Sequence, residues 1–153
     1  MTEVDEMEKE IGVAFEAGRY RKFTGYINCR GVEGYVQNAD FDLLPDKTWT
    51  IRFKRGTWLG GTWTSGQWMK GTWRNGTWLD GDWFDGSWKT GVWRNGVWHD
   101  GHWHNGEWLD GGFWYGTWHN GTWHDGTWFS GKWINGTWLT GKTPLMGQTE
   151  YHP

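Results

Sequence analysis

The chain is short of most of what globular domains use to build a core. Among its 153 residues there is one cysteine, Cys29, and there are three prolines. A single cysteine excludes an internal disulfide framework. Leucine, isoleucine and valine are scarce, so an ordinary mixed aliphatic core is excluded as well. No long apolar run is present, which excludes a helix spanning a bilayer, and the acidic stretch 1–10 lacks the apolar segment of a signal peptide. We therefore expect a cytoplasmic protein, not secreted by a signal peptide and without a membrane partner. Charge of one sign is also lacking: 15 Lys and Arg face 18 Asp and Glu, a net −3. The basic stripe that a nucleic-acid backbone needs is not evident, and no nucleic-acid partner is expected.

Tryptophan and glycine fill the gap, with 18 and 26 residues respectively. They are not scattered. From Gly56 glycine recurs at every fifth position through Gly141, and Trp recurs two residues after it from Trp58 to Trp138. One slot departs from the rule, with Phe113 in the Trp place and Trp114 and Tyr115 beside it. Each unit often ends in Asn or Asp, as in Asn75-Gly76, Asp80-Gly81 and Asp85-Gly86. These dipeptides favour turns, so the unit reads as a short extended piece and a bend. In an extended piece Gly and Trp share one face and the residues flanking Trp share the other. The flanking set includes Arg74, Asp82, Lys89, Glu107 and Lys132, which cannot line a dry interior. The Trp face therefore points inward. Gly leaves room beside the indole and supplies the bend.

A five-residue period cannot be one continuous strand, because alternate Trp would flip to opposite faces. The chain must turn at every unit, as a solenoid does. At this point the pattern resembles that of pentapeptide-repeat proteins, in which a small residue and a large central residue both face inward. Ala39-Asp40-Phe41-Asp42-Leu43 fits the ordinary family pattern as it stands. The resemblance implies a right-handed quadrilateral β-helix with four units per coil. The repeat is also similar to Gly-Thr-Trp repeat proteins of tailed bacteriophages, which implies a phage origin. Four units per coil would make residues 20 apart neighbours. In the position after Trp the identical pairs at that separation are Leu59/Leu79, Arg74/Arg94, His99/His119 and His104/His124, against only His104/His119 at a separation of 15. The expected fold is thus all-β, a quadrilateral solenoid of about four pentapeptides per coil with an N-terminal α/β cap.

Three zones follow: a helix-and-strand cap over 1–55, the solenoid over 56–140 and a tail over 141–153. In the cap, Val4, Met7, Ile11 and Phe15 share a helical face, and Tyr26 to Val36 and Trp49 to Phe53 alternate as strands do. Phe53 stands five residues before Trp58 and is expected to open the aromatic core.

Several outward residues carry chemistry. His99, His102, His104, His119 and His124 form an expected ladder, with His99 under His119, whose stacked imidazoles suit Zn²⁺ or a similar ion. Thr57, Thr77, Val97, Thr117 and Thr137 form an expected β-branched column. Phe113, Trp114 and Tyr115 form an expected aromatic patch for a protein partner. No nucleophile–base pairing and no phosphate loop is present, so neither an enzyme nor a cofactor is expected. The leading functional reading is a structural or assembly protein of a phage, with a protein partner or self-association. A module that inhibits a host protein is the alternative, and metal binding by the His ladder is a further one. Some pentapeptide-repeat proteins imitate DNA, but here the repeat block carries five basic and seven acidic residues, which disfavours imitation.

Overall fold

The computed structural model describes residues 19–29, 31–43 and 50–143. The expected N-terminal helix lies outside the described residues, as does Trp49. Three long strands come first: β1 (Arg19–Cys29), β2 (Val32–Leu43) and β3 (Ile51–Trp63). Fifteen two-residue strands follow, from β4 (Gln67–Trp68) to β18 (Thr137–Trp138), each the residue before a Trp-slot aromatic and the aromatic itself.

The first three strands pair antiparallel, with Phe41 opposite Phe53. Ala39, Phe41 and Leu43 are buried by simple strand alternation within β2. The stretch that fits the ordinary pentapeptide pattern is therefore a strand of this antiparallel layer and not a solenoid unit. Arg52 clamps Asp42 with two hydrogen bonds of 2.9 and 2.8 Å, satisfying the one buried charged side chain among the described residues. Gly34 lies directly on the first coil: a Cβ there would sit 2.5 Å from the Trp58 ring. β3 runs from the antiparallel layer into the solenoid, and Phe53 stacks on Trp68 at 4.1 Å, opening the aromatic core as expected.

From β3 onward every pairing is parallel and every partner is 15 residues away. Thr57 faces Thr72, Thr62 faces Thr77, and the series continues to Thr122 facing Thr137 and Thr127 facing Lys142. Three units make one coil, and about six coils stack. The expectation of four units per coil is corrected. The three faces carry separate aromatic columns: Phe53 to Trp128 on face 1, Trp58 to Trp133 on face 2, and Trp63 to Trp138 on face 3. Parallel hydrogen bonds tie the coils, as in Arg74 N–H donating to the Trp58 carbonyl at 2.8 Å and His102 N–H donating to the Gly86 carbonyl at 2.9 Å.

The indole geometry explains why three units suffice. Within a coil, successive rings meet edge to face, as Trp83 and Trp88 do at 5.9 Å and 72°. Between coils, rings stack nearly parallel, as Trp73 and Trp88 do at 4.8 Å and 4°. Rings related by a third of a turn and inclined by 72° have normals tilted about 43° from the coil axis, an edge-to-face arrangement that the ring quadrupole favours. That tilt converts the 4.8 Å coil spacing into a plane-to-plane gap of about 3.5 Å, which is van der Waals contact. The strand spacing of a β-sheet and the stacking distance of indoles are thus satisfied together. A four-sided coil with the same edge contacts would hold opposite rings about 8 Å apart across the diagonal and leave a channel unfilled.

The corners belong to glycine. Gly101 has φ +124°, and a Cβ on it would lie 2.4 Å from the Gly86 carbonyl oxygen one coil below. The adjoining Asp or Asn stays at negative φ and serves differently. Asp80, Asp85, Asp100, Asp110, Asp125 and Asn75 each accept a 2.8 Å hydrogen bond from the N–H of the following glycine. Glycine's main role is therefore close backbone approach, with room for the indole as a second effect.

The coil size has a direct chemical test. Cysteines replacing Thr62 and Thr77 are neighbours on adjacent strands, about 5 Å apart. A short bifunctional maleimide is expected to join them efficiently in the folded protein. The Thr57→Cys, Thr77→Cys pair, 20 residues apart, sits on two different faces and is expected to remain unlinked. Mass spectrometry of the digest reads both outcomes, and preferential linking of the second pair would restore the four-unit coil.

Candidate functional site

Sorting the outward residues by 15 redistributes every sequence-based candidate. The five repeat-block histidines do not form one ladder. His99 is on face 1, where its ring stacks on Phe84 at 4.5 Å and its Nε2 lies 3.4 Å from Asp82. His124 is on face 3, 3.5 Å from Glu107. His102, His104 and His119 come together on face 2. There the rings of His104 and His119 stack at 4.6 Å, and His102 Nδ1 lies 3.1 Å from His119 Nε2. One of those two nitrogens donates and the other accepts, so the accepting ring carries no proton on that nitrogen. Among the described residues, no three His, Cys, Asp or Glu side chains are grouped so as to hold a metal ion. The Thr column dissolves as well: Thr57 and Thr117 are on face 2, Thr77 and Thr137 on face 3, and Val97 on face 1.

Burial and local charge favour the neutral form of His104 and His119. The His104 pKa falls to about 4, through burial first and then through Lys89, His119 and His102. His119 is lowered by burial, then by His102, Lys89 and Lys132. The unfolded chain therefore takes up these protons before the folded one does. Stability is full above the ordinary pKa of 6.5, declines as pH falls, and is completely lost to this group below about 4. Partial solvent screening leaves an effect of about 1–2 kcal/mol. Urea unfolding at pH 7 and pH 4.5 is expected to show that loss in the native chain and a smaller one in His104→Gln. Equal losses in the two proteins would contradict it.

The irregular unit divides into two environments. Phe113 keeps the core slot, fully buried between Trp98 and Trp128, so it offers nothing to a partner. Trp114 and Tyr115 are outside, 47% and 57% exposed. Trp114 stacks on Phe129 one coil above at 3.9 Å, a partner that the sequence reading missed. Gly112 replaces the usual Thr beneath them. A Cβ there would touch Phe129 at 3.4 Å and Trp114 at 3.5 Å, so the glycine gives the two rings a flat bed. Double glycine followed by an off-slot aromatic was the legible signal for this pair.

A groove of about 630 Å³ runs along the corner between faces 1 and 2. Asp85, Asp100, Tyr115 and Ser130 form its corner row, and His102, Thr117 and Lys132 form the strand row beside it. No protein-family model, curated protein or solved structure matches the chain. The fold alone defines the class: a repetitive, Trp-rich parallel β-solenoid, consistent with pentapeptide-repeat-like proteins in general. Its architecture is that of a scaffold. No helix among the described residues is long and apolar enough to cross a membrane.

Proposed function

We propose that the chain is a structural or assembly scaffold of a tailed bacteriophage. The supporting observation is the core: aromatic columns run from Phe53 to Trp138, and among the described residues of the repeat only Thr143, in the slot above Trp128, is a buried polar side chain, while the outward positions vary. Such a body holds surface groups at fixed spacings over its whole length. The similarity of its repeat to Gly-Thr-Trp proteins of tailed phages gives the setting. Mass in solution and sedimentation with purified particles test this reading. Stoichiometric association or a defined oligomer is expected, and a monomer absent from particles would remove it.

One observation favours protein binding at a particular place. Trp114 and Tyr115 are adjacent and exposed, and Trp114 is backed by the stacked ring of Phe129. Large aromatics on a rigid base are typical anchors of interfaces. Trp114→Thr is expected to weaken association with the particle or partner by about tenfold or more, the loss of one hot spot. Thermal unfolding should change little. Unaltered association, measured by sedimentation, would place the contact elsewhere.

A further inference from the structure

The corner groove juxtaposes residues that are remote in sequence, and its chemistry changes along its length. Successive members of each row are one coil apart, about 4.8 Å. At the lower end stand Asp85 and Asp100. Each uses one carboxylate oxygen to accept the following glycine N–H at 2.8 Å, and the second oxygen remains a hydrogen-bond acceptor. In the middle, Tyr115 presents an exposed ring from a slot that most other units fill with small polar residues. At the upper end Lys132 is an exposed cation, with no carboxylate in ion-pair contact among the described residues. His102 adds an imidazole between them, already held by His119.

We propose that this groove binds an acidic oligosaccharide. A sugar ring lays its apolar C–H face on Tyr115, its hydroxyls donate to Asp85 and Asp100, and its carboxylate meets Lys132. Each alternative leaves part of the groove opposed. A nucleic-acid strand brings phosphates against the two aspartates. A neutral sugar leaves Lys132 without a counter-charge. The acidic sugar uses all three zones, and a groove about three coils long accepts two or three sugar units. This inference is independent of any phage setting, since it concerns only the groove.

Calorimetric titration of the full chain tests it with four probes: aldotriouronic acid and sialyllactose, each with a single acidic unit, neutral galactotriose and a short oligothymidylate. The three useful variants each install a residue that other units carry in the same slot, so the coil tolerates them: Tyr115→Asn, Lys132→Thr and Asp100→Asn. At least one acidic sugar is expected to bind saturably and more tightly than the neutral one. Tyr115→Asn should weaken it about tenfold or more, and Asp100→Asn should weaken it measurably. Lys132→Thr should reduce it to the neutral level. Histidine ring signals give a second readout, with His102 shifting on binding and His124 unchanged. The proposal is overturned if neither acidic sugar binds at about 10 mM, a ceiling set by weak affinity. It is equally overturned if binding survives both Tyr115→Asn and Lys132→Thr, or if the oligonucleotide binds more tightly than either sugar at physiological salt.

Discussion

Gly101→Ala is expected to cost at least about 3 kcal/mol and to broaden or abolish the cooperative unfolding transition. Two effects act together. The backbone at Gly101 has φ +124°, a region that L side chains rarely adopt, and the new methyl would stand 2.4 Å from the Gly86 carbonyl oxygen. Relaxation is blocked from both sides. His102 N–H is bonded to that same Gly86 carbonyl at 2.9 Å, and Thr117 N–H is bonded to the Gly101 carbonyl at 2.9 Å. Moving the coil to admit the methyl breaks the ladder that defines it. Gly60 is the internal control: its φ is not in the positive region, and a Cβ there meets nothing within 4 Å. Gly60→Ala is therefore expected to be neutral or slightly stabilising, by up to about 1 kcal/mol. Urea unfolding of both variants checks the contrast. Equal effects would mean that glycine is used at the corners for flexibility and not for close approach.

Trp103→Ala is expected to destabilise by about 3–5 kcal/mol, the range for deleting a large buried aromatic. Trp103 is stacked on Trp88 below and Trp118 above, each at 4.8 Å, and meets Trp98 and Trp108 edge to face. Its loss opens a void that four rigid rings cannot close. Trp103→Phe should cost much less. Phe113 and Phe53 show that the column accepts a phenyl ring, stacked at 4.3 Å on Trp128 and 4.1 Å on Trp68. The indole N–H of Trp103 also has no hydrogen-bond partner among the described residues, so phenylalanine removes a buried donor along with some contact area. A Trp103→Phe variant as unstable as Trp103→Ala would show that the N–H interacts more strongly with its aromatic surroundings than this account allows.

Much of this fold is legible in the chain. The inward Trp face follows from where the charges stand, and Phe53 announces itself by spacing. The coil size does not follow, because identical residues are a poor marker of contact. Leu59/Leu79 and Arg74/Arg94 suggest neighbours 20 apart, yet a stack rewards compatible shapes more than identity. The real contacts are Phe84 with His99, Trp114 with Phe129, and His104 with His119, all 15 apart. Only the last is an identity, and alone it looks like chance. The candidate site inherits that error. Under a four-unit phase His102 falls on the face opposite the one that carries Tyr115 and Lys132, so the groove has no counterpart in the chain read that way. The Ala39–Leu43 stretch misleads for another reason: a strand with alternating burial and a pentapeptide unit share the same inward spacing of two over five residues.

The equivalence of the three faces bears on how such a chain changes by duplication and loss. Loss or gain of one unit inside the array leaves indole over indole and glycine over glycine, so selection on folding hardly registers it. The surface does register it. Every side chain beyond the event moves round the column by a third of a turn, and rows such as Asp100, Tyr115 and Ser130 are severed from whatever lay below. Only exchanges of three units conserve both the interior and the surface pattern. In a lineage of such proteins, a length difference that is not a multiple of one coil marks a point where the old surface was discarded and a new one began.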